Sequence, residues 1–205
     1  METIFVTGYP GFLAKRLVQH IALASPQAKL ILLVESRFLQ EAQKRIALFP
    51  QQQIDLVTGD VTNMHLGLAG SEFQKIVDEA THIFHLAAVS SFELSLESAR
   101  KVNVEGTRNV LELASECQKI QRFVYVSSCY VSGDRQGVIA EDELDAGQSF
   151  RNAYERTKFE AEKLVLQHVD RIPTTIVRPS TIVGDSRTGE IDRFERFAAL
   201  IEGAH

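Results

Sequence analysis

Apolar positions along the chain fall into two alternating kinds of run. Short, nearly continuous runs recur as "TIFVT" (3–7), "KLILLV" (29–34), "QIDLVTG" (53–59), "HIFHLAA" (82–88), "RFVYVSS" (122–128) and "TTIVRP" (174–179), and they predict six buried strands. Between them, apolar residues return near every 3.6 positions in "FLAKRLVQHIALA", "FLQEAQKRIALF", "EFQKIVDEA", "VEGTRNVLELASECQ" and "YERTKFEAEKLVLQHV", which predict amphipathic helices. Strict alternation of strand and helix predicts an α/β fold, a parallel sheet with helices on both faces. No repeat, low-complexity tract or Pro/Gly-rich linker interrupts the alternation, so residues 1–205 are expected to form a single domain. One segment breaks the rhythm. "GDRQGVIAEDELDAGQSFRNA" (133–153) is polar, acidic and long for a connection in a compact domain, and two readings stand: a loop over a binding site, or a solvated acidic face.

Composition narrows the partners. The 205 residues, 44% apolar and 24% charged, can bury one large core, and a balance of 22 basic against 27 acidic residues gives a net charge of −5. That balance supplies no electrostatic reason to expect nucleic acid or an anionic membrane, so a small anionic ligand must be held by local features. Cys117 and Cys129 show neither CxxC pairing nor a His cluster, which predicts reduced thiols in an intracellular protein. The first strand begins at Thr3, leaving no room for a leader, and no apolar run approaches membrane-spanning length. A cytoplasmic protein is expected.

The candidate chemistry begins in "VTGYPGFLAKRLVQ" (6–19), where Gly8, Gly11 and Ala14 follow a strand and open a helix. Gly8 permits a tight turn, Gly11 lets the backbone approach a pyrophosphate, and Ala14 lets the helix press on the sheet. With Pro10 in the first helical turn, the amides of Phe12 and Leu13 would face the pyrophosphate; the alternative is a plain strand-to-helix turn. Glu35 ends the second run, where a carboxylate binds the adenosine ribose and repels a 2′-phosphate, whereas Arg37 would bind that phosphate, and the balance favours NAD(H) over NADP(H). Asp60 in "GDV" is placed to accept from an adenine amino group, and Ala87 and Ala88 in "HLAA" leave room beneath a cofactor. His85 reads as a satisfied core histidine.

Tyr154 and Lys158 in "YERTK" stand four apart at a helix start, hence on one face. An ammonium beside a phenol favours the phenolate, and in the reducing direction the phenol donates its proton to a carbonyl. Ser128 ends the fifth run, at the edge where α/β sheets place ligands. No GxSxG and no metal-ligand spacing is present, so these residues do not read as a hydrolase triad or a metal site.

Over nearly its whole length the chain resembles the extended branch of the short-chain dehydrogenase/reductase superfamily, through "TGYPGFLA", "GDV", "HLAA", "NVEGT", "VSSCYVSG" and "YERTK" in that order. The resemblance implies a Rossmann-type doubly wound sheet and an NAD(P)(H) cofactor. By position it implies Tyr154 as general acid/base, Lys158 as the residue that lowers its pKa and holds the nicotinamide ribose, Ser128 as substrate-orienting, and Asn103 as support for a proton-relay water. It places cofactor contacts at Thr7, Gly8, Gly11, Phe12, Leu13, Glu35, Arg37, Asp60, Val61, Ala87 and Ala88, with Arg178, Pro179 and Ser180 passing the nicotinamide carboxamide. Relatives pair subunits through two helices, here 102–116 and 154–168, which implies a homodimer.

Within the branch the chain is most similar to the thioester-reductase and fatty-acyl-reductase group, the male-sterility-type NAD-binding domain, which reduces acyl thioesters to aldehydes or alcohols. Cys129 and Tyr130 stand where sugar-nucleotide dehydratases carry an Asp-Glu pair, so the alternatives are an epimerase, a simple alcohol dehydrogenase, or a non-catalytic dinucleotide-binding or redox-sensing module. Glu35 departs from the basic residue usual in the group. The chain runs from "GDSRTGE" into an amphipathic end with Phe194, Phe197, Leu200 and Ile201, so the carboxyl-terminal substrate region is expected to be short or missing.

Overall fold

The computed structural model describes residues 2–91 and 94–182; Phe194, Phe197, Leu200 and Ile201 lie outside the described residues. Six strands form one sheet: β1 (Thr3–Thr7), β2 (Lys29–Val34), β3 (Ile54–Thr58), β4 (His82–His85), β5 (Arg122–Val126) and β6 (Thr174–Val177). Every neighbouring pair is parallel and the order is β3-β2-β1-β4-β5-β6. The winding reverses between β1 and β4, and the crevice outside their carboxyl ends is where such sheets take ligands.

The helices are α1 (Phe12–Ala24), α2 (Leu39–Ile46), α3 (Gly70–Glu79), α4 (Leu96–Arg100), α5 (Gly106–Glu116) and α6 (Ala153–Leu166). Because side chains alternate along a strand, Ile4 and Val6 point to one face with Leu30, Leu32 and Val34, where Ala14, Val18 and Ile21 of α1 and Ala42 of α2 close over them. Phe5, Ile31, Leu33, Ile83 and Phe123 point to the other face and meet Phe73 and Ile76 of α3, Val110 and Leu111 of α5, and Ala161 and Val165 of α6. Both faces of the central strands are therefore buried, which is why those runs are apolar without alternation. At the β6 edge, Ile176 packs against the second core while Thr175 and Val177 are exposed.

Four strands stop earlier than their apolar runs. Gly59, Leu86 to Ala88, Ser127 to Ser128 and Arg178 to Pro179 follow the strand ends at the carboxyl edge, with the Gly59 N–H still donating to the Val34 carbonyl at 3.0 Å and the Ser127 N–H to the Val177 carbonyl at 2.8 Å. After β4 the reason is local: Leu86 N–H and Ala87 N–H donate to the Thr7 hydroxyl, both at 3.2 Å, instead of extending the ladder. Pro10 also differs from the sequence expectation. It lies outside α1, in a turn closed by the Gly11 N–H on the Gly8 carbonyl at 2.8 Å, and Gly11 is the N-cap.

The polar segment after β5 opens with a 3-10 turn, Cys129–Ser132, and is then cross-braced. The Gln148 amide donates to the carbonyls of Val131 and Leu144, both at 2.8 Å, and the Ser149 N–H donates to Asp134 at 2.8 Å. Its acidic residues are exposed, yet Asp145 pairs with Lys163 of α6 at 2.6 Å and Glu143 pairs with Arg135. Among the described residues no helix is long and apolar enough to cross a membrane, and no group of His, Cys, Asp or Glu could hold a metal ion.

Candidate active site

The turn after β1 is shaped so that only glycine fits. Gly8 has φ +85°, and a Cβ there would stand 2.8 Å from the Ala87 backbone nitrogen; a Cβ on Gly11 would stand 2.7 Å from the Gly8 carbonyl oxygen. No side chain caps α1 and no acidic residue sits in its first turn, so its positive end and the amides of Phe12 and Leu13 are directed at the crevice. This cradle of close backbone, with Ala14 buried against the sheet, fits a dinucleotide pyrophosphate.

Beneath the turn runs a buried polar chain. Thr7 Oγ1 is 2.8 Å from His85 Nδ1, His85 Nε2 is 3.0 Å from Thr107 Oγ1, and the Thr107 hydroxyl donates to the Asn103 carbonyl at 2.7 Å. The hydrogens fix the tautomer. Thr107 spends its single proton on Asn103, so His85 donates from Nε2, and Nδ1 accepts from Thr7. His85 is thus the satisfied core histidine expected from its run, and burial, with the Lys158 charge behind it, pushes its pKa down to about 3.

That shift makes the fold acid-sensitive. Below about pH 6.5 the unfolded histidine takes a proton that the folded one refuses until about pH 3, so His85 favours folding fully above this window and progressively less within it. Between pH 6.5 and 5 this one group is expected to remove about 2 kcal/mol of unfolding free energy. Urea unfolding at the two pH values checks it: His85→Asn should lose correspondingly less than the parent.

The residues expected to meet an adenosine stand along the same sheet edge, with Glu35 after β2, Asp60 after β3, and Ala87 and Ala88 after β4. Glu35 and Arg37 face each other across the 3-10 turn Ser36–Phe38, with Arg37 Nε at 2.8 Å and Nη2 at 3.1 Å from the two carboxylate oxygens. Asp60 caps its own turn by accepting from the Thr62 N–H at 2.8 Å, and the carbonyl of buried Val61 accepts from Asn109 at 2.7 Å.

At the other end, Asn152 caps α6 by accepting from the Glu155 N–H at 2.9 Å, while Glu155 accepts from the Arg151 N–H at 2.9 Å. These contacts fix half-buried Tyr154 as the second residue of the helix. Lys158, one turn on, is only 2% exposed; its Nζ donates to the Val126 carbonyl at 2.7 Å and lies 4.3 Å from the centre of the Tyr125 ring. Burial pushes this ammonium down to about 7, against the opposing pull of Glu162. Ser128, also buried, accepts from the Tyr130 N–H at 3.3 Å.

Asn103 sits in a π-helical turn, Lys101–Glu105, between α4 and α5. Its Oδ1 accepts from the Val89 N–H at 2.9 Å, and its Nδ2 donates to the Val89 carbonyl at 3.0 Å and to Thr157 Oγ1 at 2.9 Å. Both amide hydrogens are spent, so the side chain clamps the loop after β4 onto α6. Arg178 turns its guanidinium toward α6, onto the Glu162 carboxylate at 2.5 and 2.9 Å, while the Pro179 carbonyl accepts from the Cys129 N–H at 3.0 Å.

Sequence reasoning did not single out Glu162, which has no exposed surface and also accepts from Ser127. One signal pointed to it: Tyr154, Lys158 and Glu162 follow one another at intervals of four, on one helix face.

Known proteins bear on this arrangement. A plant reductase, "Probable fatty acyl-CoA reductase 4" of Arabidopsis thaliana, is 29% identical over 185 residues, covering 78% of this chain and 37% of its own length. "Fatty acyl-CoA reductase wat" of Drosophila melanogaster is 25% identical over 243 residues, covering 98% of this chain and 47% of its own length. Among solved structures, the terminal R domain from the myxalamid PKS-NRPS biosynthetic pathway superposes with a TM-score of 0.83 at 36% identity, over 94% of this chain and 52% of that one. The chain thus spans about half, or less, of the length of these relatives. The model of the "Male sterility protein" family, a group of NAD-binding domains, matches residues 6–205. With that match and the doubly wound sheet beneath it, the chain belongs to the male sterility family of NAD-binding domains.

Proposed function

We propose that this chain forms the dinucleotide-binding and proton-delivering part of an NAD(P)H-dependent reductase acting on acyl thioesters. The observation that carries the reading is the presence, in one parallel sheet and its helices, of a glycine-only cradle after β1 and of a buried Lys158 one helical turn behind Tyr154. The identity to the R domain and the likeness to fatty acyl-CoA reductases support reduction over the epimerase and binding-module readings.

In this reading Thr7, Gly8, Gly11, Phe12 and Leu13 hold the pyrophosphate, and Asp60, Val61, Ala87 and Ala88 line the adenine side. Glu35 takes the adenosine ribose. Lys158 takes the nicotinamide ribose, with Pro179 and Ser180 beside the carboxamide and Arg178 fixing their approach. When bound, the dinucleotide supplies the hydride. Tyr154 delivers its phenolic proton to the substrate oxygen, and the Lys158 ammonium lowers the cost of the phenolate left behind. Ser128, whose oxygen already accepts from the Tyr130 N–H, has its hydroxyl hydrogen to give to the same substrate oxygen. Asn103 keeps the loop after β4 against α6, and a relay water beside it would complete the proton path.

NAD(H) is the expected partner. Arg37 is engaged by Glu35 through two contacts, and a 2′-phosphate would have to displace a carboxylate to reach it. Titration with NADH and with NADPH, followed by the fluorescence of the bound nicotinamide, should give the tighter constant for NADH. In Glu35→Gln the freed guanidinium should shift the ratio toward NADPH by about tenfold, about 1.4 kcal/mol. A parent chain preferring NADPH overturns the cofactor assignment, and binding of neither overturns the function. Oxidation of the bound cofactor dependent on an acyl-CoA tests the substrate class directly.

A further inference from the structure

Three parts of the chain meet at one buried carboxylate, and a fourth is tied to it through Arg178. Glu162 of α6 is 0% exposed; its Oε1 accepts from Arg178 Nε and Nη2 at 2.9 and 2.5 Å, and its Oε2 accepts from the hydroxyl of Ser127, just past β5. Arg178, just past β6, uses its remaining Nη1 to reach the Glu143 carbonyl at 3.1 Å, on the braced segment that follows β5. As a fastener such an ion pair is a poor choice, because apolar side chains of similar volume commonly hold a core as well or better. The charge itself therefore needs a reason.

Lys158 supplies one. Its ammonium lies over the Tyr125 ring of β5, feels neutral His85 of β4 and, one turn on along α6, Glu162, and has the Arg178 guanidinium across Glu162. Among the groups named, Glu162 is the only carboxylate. The Val126 carbonyl adds a dipole but no charge.

We infer that Glu162 is a positioning residue for the Tyr154–Lys158 pair: its carboxylate keeps Lys158 an ammonium in a site otherwise too dry for one. Arg178 sets the strength of that hold by sharing the carboxylate charge, so cofactor-side loop, braced segment and proton-donor helix are tied to one electrostatic setting. The catalytic meaning rests on the proposed function; the electrostatic relation does not.

The test reads Lys158 directly. In full chain carrying carbon-13 lysine, the Lys158 side-chain signal, assigned as the one lost in Lys158→Met, is followed through a pH titration. The parent midpoint is expected near 7. Glu162→Gln should lower it by about one unit, Arg178→Gln should raise it, and Glu162→Asp, which keeps the charge, should restore most of the parent value. Opposite shifts from two variants that break the same ion pair are not produced by loosened packing. An unmoved midpoint, or shifts in the same direction, overturns the inference. If Glu162→Gln does not fold, Arg178→Gln decides alone: an upward shift supports the inference, and no shift or a downward one overturns it. Shifted midpoints in a chain that binds neither NADH nor NADPH would refute the proposed function and leave Glu162 in its role; a chain that binds the dinucleotide with unmoved midpoints would do the reverse.

Discussion

Tyr154→Phe is expected to bind NADH as tightly as the parent chain and to lose 10²-fold to 10⁴-fold in turnover, the range of a general acid's contribution. The substitution removes one oxygen from a half-buried ring held at the second position of α6, and the cap that fixes this position, Asn152 with Glu155, does not involve that oxygen. The geometry of the helix start should survive, while the proton for the substrate oxygen loses its donor. Fluorescence titration of NADH and the rate of thioester-dependent oxidation, measured on the same preparation, separate the two effects. Turnover near the parent level would move the acid role to another group, with Ser128 the first to examine.

Gly8→Ala is expected to weaken dinucleotide binding by 10²-fold or more and to destabilise the fold by about 2–4 kcal/mol. Two costs act together. The residue sits at φ +85°, which L side chains rarely adopt, and the added carbon would meet the Ala87 nitrogen at 2.8 Å. Ala87 follows β4, which pairs with β1 in the middle of the sheet, so the neighbour is backbone that cannot easily yield. Gly70→Ala serves as the control: it opens α3, nothing lies within 4 Å of its Cβ position, and stability should be unchanged or slightly improved. Urea unfolding of the three chains measures the difference.

The parallel sheet was legible in the sequence because burial on both faces leaves continuous apolar runs, and the helices because burial on one leaves a 3.6-residue period. The loops at the carboxyl edge were less so. "LAA" after His85 continues its run in composition, and the competing acceptor on Thr7 takes it out of the ladder; "SS" after Val126 keeps a ladder bond from the Ser127 N–H to the Val177 carbonyl before the 3-10 turn begins at Cys129. The extra residue of the π turn around Asn103 was invisible for a related reason: apolar periodicity continues on either side of it, and one inserted residue does not disturb a pattern read over a dozen.

Charge pairing was the hardest to read. Glu35 and Arg37, two apart, meet because a 3-10 turn brings them round, and that contact is not written in the letters alone. Glu162 and Arg178 lie on different elements, and nothing in their local sequence says that a helix and a strand end will bury them together. Sequence spacing showed Lys158 beside Tyr154; it could not show what keeps the lysine charged.

The chain from Thr7 through His85 and Thr107 to Asn103 has a consequence for how this fold can be rearranged. Thr7 belongs to the β1–β3 half of the sheet, and the other three belong to the half that begins with β4. The two halves look like interchangeable mononucleotide units, yet the seam between them is polar and matched proton for proton. A chimera joining the first half of this chain to the second half of a distant relative would therefore inherit a mismatched seam unless it carried a compatible hydrogen-bonding set at these four positions. Modularity visible at the level of strands and helices stops at the hydroxyl of one threonine.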